Sequence, residues 1–318
     1  MRETPTRLNG KYTKIEAWDS PTGSSLCVYY RKASGKAKGV VHINHGLADH
    51  AGRYARFAEV LSTAGFHVYA HDHRGHGATT AIDAQQGVFA DHAGSDLVLN
   101  DIYAVNEEIH RRHPKLPLIM FGHSMGGMLT YNYLLRWPGT IDAAAIWNAA
   151  MSKSPLTGLL KVVLGLEKIF KGRTAPSVVS KLTFDTFNKD FKPNVTSADW
   201  LSKDMAECQA YEDDPDGGWR PSVSMWQDLR KWIVYGASDK GLSDVPKDMP
   251  IYIMGGDADP SVEKGKATLD LEKRLRVAGL TNVKMNLRKN GRHEALNEPK
   301  SERDAVMQDF VDWALAVI

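Results

Sequence analysis

Along the first half of the chain, short β-forming runs alternate with stretches of helical period. Lys14–Trp18 and Leu26–Arg31 read as strands, and Pro21-Thr22-Gly23 between them predicts a turn, so the two should pair antiparallel. Val40–Asn44 is a further strand-like run, followed shortly by a glycine. Tyr54, Phe57, Ala58 and Leu61 then recur at helical spacing, and Phe66–Ala70 is the next strand. Val98, Ile102, Val105 and Ile109 form one helix stripe, with Ser95 as its expected N-cap. Leu116–Phe121 predicts a strand, Met125–Arg136 a helix and Ala143–Trp147 a buried strand.

The alternation stops between about Ser152 and Ser238, a stretch that holds Trp200, Trp219, Trp226 and Trp232. It resumes with a strand at Ile251–Met254, a helix near Lys266–Ala278 and a strand at Val283–Leu287. A last helix carries Val306, Phe310 and Trp313 on one face. Strands alternating with helices predict an α/β fold with a mostly parallel sheet covered on both faces. Three segments follow: a core of residues 1–151 and 239–318, interrupted by a helical cap insertion at 152–238. In such sheets the site is expected beyond the carboxyl ends of the strands, where an insertion at this point would lie.

The strand ending at Phe121 runs into Gly122-His123-Ser124-Met125-Gly126-Gly127, and a helix follows. This is G-x-S-x-G in a strand–turn–helix setting. The turn must be so sharp that only small flanking residues avoid a clash, and it presents the serine hydroxyl beside the amides of a helix N-terminus. Ser124 is therefore the expected nucleophile. A neutral serine needs a base, and partners in this arrangement follow in the order Ser, Asp or Glu, His. His293 is the only one of the 12 histidines after Ser124. The acid should follow the strand Ile251–Met254, where Asp257 and Asp259 both qualify; loop geometry favours Asp259. Its carboxylate would fix the imidazole tautomer and stabilise the cation.

Val40–Asn44 leads into His45-Gly46-Leu47-Ala48-Asp49-His50. A His-Gly pair after this strand suits the loop that donates one oxyanion-hole amide, so Leu47 and Met125 are the expected donors. A competing reading is zinc held by His71, His73 and His76 in His71-Asp72-His73-Arg74-Gly75-His76-Gly77. Gly75 stands where a binuclear zinc pattern would place an aspartate, and no histidine between residues 124 and 293 could complete the site. A tight turn with packed histidines is the preferred reading, with no metal.

Composition narrows the class. The chain has 318 residues, 40 Lys+Arg against 38 Asp+Glu and a formal net charge of +2. That balance offers no electrostatic reason to expect a nucleic-acid partner. Two cysteines, Cys27 and Cys208, are too few for a disulfide framework and read as free thiols. Met1–Lys11 contains no apolar signal core, and Leu156–Phe170 is too short and too charged to span a bilayer, so a soluble cytoplasmic protein is expected.

Taken in order, Asn44–Tyr54, His71–Gly77, Gly122–Gly127 and Arg292-His293-Glu294 resemble the α/β-hydrolase superfamily. Within it, the chain is similar to the branch of monoglyceride lipases and bacterial lysophospholipases, often grouped with serine aminopeptidases. The resemblance covers about residues 10–150 and 245–318. It implies an α/β-hydrolase fold, Ser124, Asp259 and His293 as the catalytic set, the Leu47 and Met125 amides as the oxyanion hole, and no cofactor. It also implies a small-molecule or lipid ester as substrate. The stretch Leu156, Leu159, Leu160, Val163, Leu164, Leu166, Ile169 and Phe170 would then line an acyl channel, touch a membrane surface, or simply pack on the core. A proline-type aminopeptidase would need acidic cap residues for a free amine, with Glu207, Glu212, Asp213, Asp214 and Asp216 as candidates. A non-catalytic ligand-binding protein of the same fold is the remaining alternative.

Overall fold

The computed structural model describes residues 12–153 and 156–318, and the Leu156 side chain is not among the atoms described. The amino-terminal stretch Met1–Lys11, read above for a signal sequence, lies outside them. The strands are β1 Lys14–Asp19, β2 Ser24–Arg31, β3 Gly39–Asn44, β4 Phe66–His71, β5 Thr80–Ala81, β6 Leu118–His123, β7 Ala143–Trp147, β8 Ile251–Gly256 and β9 Val283–Arg288. The α-helices are α1 Ala55–Thr63, α2 Gly94–Arg112, α3 Met125–Arg136, α4 Leu156–Lys171, α5 Val178–Asn188, α6 Met205–Glu212, α7 Val223–Gly236, α8 Lys266–Val277 and α9 Lys300–Ala316.

All strands join one sheet in the order β1-β2-β4-β3-β6-β7-β8-β9, with β5 against β2. From β4 to β9 every pairing is parallel; β1, β2 and β5 pair antiparallel. The β1–β2 hairpin pairs Trp18 with Leu26 around the expected turn.

The burial pattern explains the layering. Every residue of β3, β6, β7 and β8 is buried, as helices on both faces require. Alternate residues of these strands enter opposite cores. Val40, Leu118, Met120, Ile146 and Ile253 pack with α2, α3, α7 and α8, whereas Ile43, Phe121, Trp147 and Met254 pack with α1 and α9. Phe310 of α9 anchors the second layer, its ring 5.1 Å from Phe57 and 5.5 Å from Phe121. This is the α/β-hydrolase arrangement, a mostly parallel sheet flanked by helices.

The strand order also fixes where chemistry can occur. From β3 the chain moves outward to β4, and from β6 it moves the other way to β7, β8 and β9. β3 and β6 are neighbours, with Asn44 paired to Gly122, so their carboxyl-end loops diverge and leave a crevice. Residues 156–236, between β7 and β8, supply α4 to α7, and α7 lies against α3 and α2.

Two local readings differ from the structure. β6 starts and ends two residues later than expected, because it continues to the serine turn. Ser95 does not cap α2; the helix begins at Gly94, after Ala93 in a left-handed conformation, with the Asp228 carboxylate lying against Gly94. Ser95 is buried instead, and its carbonyl accepts a hydrogen bond from Trp232 Nε1.

Candidate active site

Ser124 sits alone between the end of β6 and the start of α3, at φ 56° and ψ −119°. A serine rarely holds such a backbone unless its surroundings enforce it. Here Ser124 N–H donates to the Trp147 carbonyl at 2.9 Å, and Met128 N–H donates to the Ser124 carbonyl at 3.1 Å. Close backbone approach sets the flanking residues: a Cβ on Gly122 would lie 2.0 Å from the Gly126 carbonyl oxygen, and one on Gly126 would lie 2.0 Å from that of Asn44. Both positions therefore exclude any side chain. Among the described residues, no hydrogen bond occupies Ser124 Oγ.

His293 arrives on the loop after β9 and Asp259 on the loop after β8, both buried. His293 Nδ1–H donates to Asp259 Oδ2 at 2.8 Å. Asn148 Nδ2 donates to the same oxygen at 2.7 Å, while the Ser261 amide and hydroxyl donate to Oδ1 at 2.8 and 2.7 Å. Burial by itself would raise the Asp259 pKa. The carboxylate's attraction to the His293 ring and these hydrogen bonds outweigh burial and hold the carboxyl below the usual range. Asp257 is exposed and accepts from the Asn290 amide, which ties the two loops together without reaching the imidazole. The geometry thus brings Asp259, not Asp257, to His293.

The loop after β3 lies against the serine turn, with Gly46 3.5 Å from Ser124 Cβ, measured from the position its own Cβ would take. His45 holds this loop: its Nδ1–H donates to the Gly46 carbonyl at 2.8 Å, and Nε2 accepts from the His73 amide at 3.0 Å. The Leu47 and Met125 amides have no backbone acceptor among the described residues. Leu47, Ser124, Met125 and His293 line one cavity of about 180 Å³. Its far wall comes from the 156–236 segment, through Phe184, Phe187, Trp200, Tyr211 and Trp226.

A buried ionic cluster borders this cavity. Arg53 donates to both carboxylate oxygens of Glu294 at 2.8 Å and to Asp49 at 3.1 Å, and its guanidinium stacks on Tyr211. Both carboxyls are held below their usual range: burial opposes this, and the adjacent guanidinium overcomes it. His123 lies next to the cluster, buried, with its pKa lowered to about 4 by burial and by His293.

His71, His73 and His76 are buried among His42 and His45, their rings 4.3–6.4 Å apart. Among the described residues, no group of three or more His, Cys, Asp or Glu side chains is placed to hold a metal. Cys27 and Cys208 are free thiols.

With this geometry in view, comparison with known proteins is decisive about family. The model of the family described as serine aminopeptidase, S33, matches residues 35–300. The chain belongs to that family of α/β-hydrolases. The monoacylglycerol lipase of Mycolicibacterium smegmatis is 28% identical over 287 residues, covering 88% of this chain and 89% of the relative. The monoglyceride lipase of Rattus norvegicus is 28% identical over 198 residues, covering 59% of this chain and 63% of the relative. A thermostable carboxyl esterase of Bacillus coagulans, solved with glycerol, superposes with a TM-score of 0.85 at 23% identity, covering 96% and 98% of the two chains. A monoglyceride lipase of Saccharomyces cerevisiae superposes at 0.73 with 18% identity, covering 97% of each. Relatives of this kind support an ester hydrolase.

Sequence reasoning passed over several residues of this site. Asn148, Ser261 and Trp200 carry no motif of their own; only the adjacency of β7 to β8 and the path of the 198–203 segment bring them to Asp259 and His293. Arg53 and Glu294 lie within the family-like motifs, yet their ion pair links residues 241 positions apart.

Proposed function

We propose that the protein is a serine hydrolase that cleaves carboxylic esters through an acyl-enzyme, and that its substrate is a monoacyl lipid of the lysophospholipid or monoacylglycerol type. The observation that carries this reading is the convergence of Ser124 and the buried His293–Asp259 pair on one largely apolar cavity. In this reading Ser124 Oγ attacks the ester carbonyl while His293 Nε2 takes its proton and then gives it to the leaving alcohol. Water, activated by the same imidazole, releases the acid and restores Ser124. The Leu47 and Met125 amides receive the oxyanion, each contributing on the order of 3 kcal/mol to the transition state in comparable sites. No cofactor enters the scheme.

Residues 152–238 act as the cap, on the core formed by 1–151 and 239–318. The outward residues Leu159, Val162, Leu166, Ile169 and Phe170 of α4 are exposed, Ile169 at 76% and Phe170 at 81%. They supply transient contact with a membrane surface from a cytoplasmic protein. Among the described residues, no helix is long and apolar enough to cross a membrane.

The aminopeptidase alternative is weakened by the fate of the cap acids. Glu207 pairs with Arg56, Glu212 bonds Ser197, and Asp214 bonds His50 at 2.8 Å. The carboxylates that do line the cavity, Asp49 and Glu294, share Arg53, and Asp49 also accepts from the Gly46 and His50 amides and the Tyr54 hydroxyl. A free amine would have to compete with these donors for them.

Ser124→Ala should remain folded and lose more than a thousandfold of its turnover of p-nitrophenyl esters. Retained turnover would remove the mechanism. A panel of acyl lengths, lysophospholipid, monoacylglycerol and proline-β-naphthylamide tests the substrate; preference for acetyl esters over long-chain monoacyl lipids would exclude the lipid reading.

A further inference from the structure

The imidazole of His293 is enclosed on more than its Asp259 side. Its ring centroid lies 4.7 Å from the Trp200 ring at an interplanar angle of 37°. It also lies 4.7 Å from His123, whose Nε2–H donates to the His293 carbonyl at 2.9 Å. Trp200 comes from the cap, not the core, and is only 6% exposed. Its position is fixed from both directions. Phe184 and Phe187 pack on its ring at 6.1 and 5.0 Å, and its amide donates to Asn188 Oδ1 at 3.0 Å.

The backbone around Trp200 is zipped to the loop that carries His293. The Trp200 carbonyl accepts from His293 N–H at 3.4 Å, and the Leu201 carbonyl accepts from Glu294 N–H at 2.7 Å. Arg292 donates to the carbonyls of Asp199 and Ser202 at 2.5 and 2.8 Å. The Lys203 amide donates to Glu298 at 2.9 Å. This stretch of the cap is therefore a fixed wall of the catalytic-base loop.

We propose that Trp200 is a positioning residue for the base: its indole face holds the His293 ring in the plane that serves Ser124 and stabilises the imidazolium that forms as the serine proton is taken. The idea rests on His293 acting as base in the mechanism proposed above. When Nε2 takes the proton, the ring becomes a cation inside a low-dielectric cavity. An aromatic face at this distance attracts a cation, and more strongly when water is excluded. His123 does not oppose this with a positive charge, because its burial keeps it neutral near pH 7. Asp259 serves the same cation from the Nδ1 edge, while Trp200 serves it from the ring face.

The test uses vinyl acetate, too small on either side of the ester to fill the cavity, alongside a long-chain p-nitrophenyl ester. Trp200→Met keeps an apolar side chain without a π face, and Trp200→Phe keeps a smaller π face. With unchanged melting temperature, Trp200→Met should lose about tenfold in kcat on vinyl acetate, with KM nearly constant, and Trp200→Phe should stay within about threefold of the parent. If Trp200 only walled the acyl pocket, vinyl acetate kcat would be unaffected and the long-chain KM would rise, which overturns the proposal. A loss in Trp200→Phe equal to that in Trp200→Met overturns it as well.

Should Trp200→Met not fold, the parent protein grown on 5-fluorotryptophan keeps the ring shape with a weaker π charge. It should lose about twofold in vinyl acetate kcat, while Trp200→Phe grown the same way should not change; equal effects on both sink the idea. Activity surviving in Ser124→Ala would instead discard the serine mechanism itself, an outcome separate from any result of the Trp200 series.

Discussion

At the scale of single residues, the site is built by exclusion and by hydrogen-bond completion. Gly122 and Gly126 are dictated by carbonyl oxygens 2.0 Å from where their Cβ atoms would be, so the serine turn tolerates no side chain there. Asp259 shows the second principle. A buried carboxylate is stable only when its lone pairs are met, and here four donors meet them: His293, Asn148 and both donors of Ser261. Ser261 Oγ also lies 2.9 Å from His293 Nδ1, so it touches both members of the pair. Ser261→Ala removes one donor to Asp259 Oδ1 and keeps the amide. Loss of a hydrogen bond of about 1 kcal/mol should lower kcat about fivefold with little change in KM. Steady-state kinetics on a soluble ester decide this, and an unaltered kcat would show that Ser261 only shapes the loop.

Among the elements, the 156–236 segment divides into two parts of different character. Residues 199–203 are bonded along their backbone to the loop that carries His293 and cannot leave without exposing those bonds. Helix α4 has the opposite character. Its inner face contacts α7 and buries Leu164, while Leu159, Val162, Ile169 and Phe170 face solvent. Exposed apolar side chains add nothing to folding, so their removal should cost no stability. Replacing Ile169 and Phe170 together by serine should leave the melting temperature and soluble-ester turnover unchanged, and lower turnover of substrate presented in phospholipid vesicles several-fold. Equal rates on vesicles would show that α4 does not meet the lipid surface.

For the molecule as a whole, a governing feature is the set of imidazoles buried on β3, β4 and the loops that follow them, with His123 buried at the end of β6. His42 donates to Asn106 through Nδ1 and accepts from His71 Nδ1 through Nε2, which fixes both as neutral tautomers. Burial lowers the His42 pKa to about 4, that of His76 to about 3 and that of His123 to about 4, and carries His71 and His73 well below their usual value. The folded state therefore refuses protons that the unfolded chain accepts at about pH 6.5. The stability these groups contribute is complete above that pH and falls as pH drops toward their folded values. At pH 5 each imidazole with a folded pKa of about 4 or lower should cost about 2 kcal/mol. His50, whose pKa is raised by Asp214 against the effect of burial, works in the other direction but is a single group. Calorimetry from pH 7.5 to 5 should show a steep fall in melting temperature starting near pH 6.5. A flat profile across that interval would mean the cluster is hydrated or open in solution.

Local pattern by itself carried the alternation of strands and helices, the break in that alternation after β7, the strand–turn–helix around Ser124 and the position of His293 as the last histidine. Each of these depends on short-range physics: hydrophobic period, steric limits in a turn, and chain order. Loop geometry in the chain favours Asp259 over Asp257, and only the folded loops bury one carboxylate beside His293 and leave the other in solvent. Ser95 misled because a local capping preference yields when tertiary contacts set the helix start two residues earlier. Asn148, Ser261, Trp200 and the Arg53–Glu294 pair were invisible in the chain, since their roles come from contacts across tens to hundreds of residues. Periodicity reports which face of an element is buried, but not what is buried against it; that partner is chosen only when the sheet and the 156–236 segment pack together.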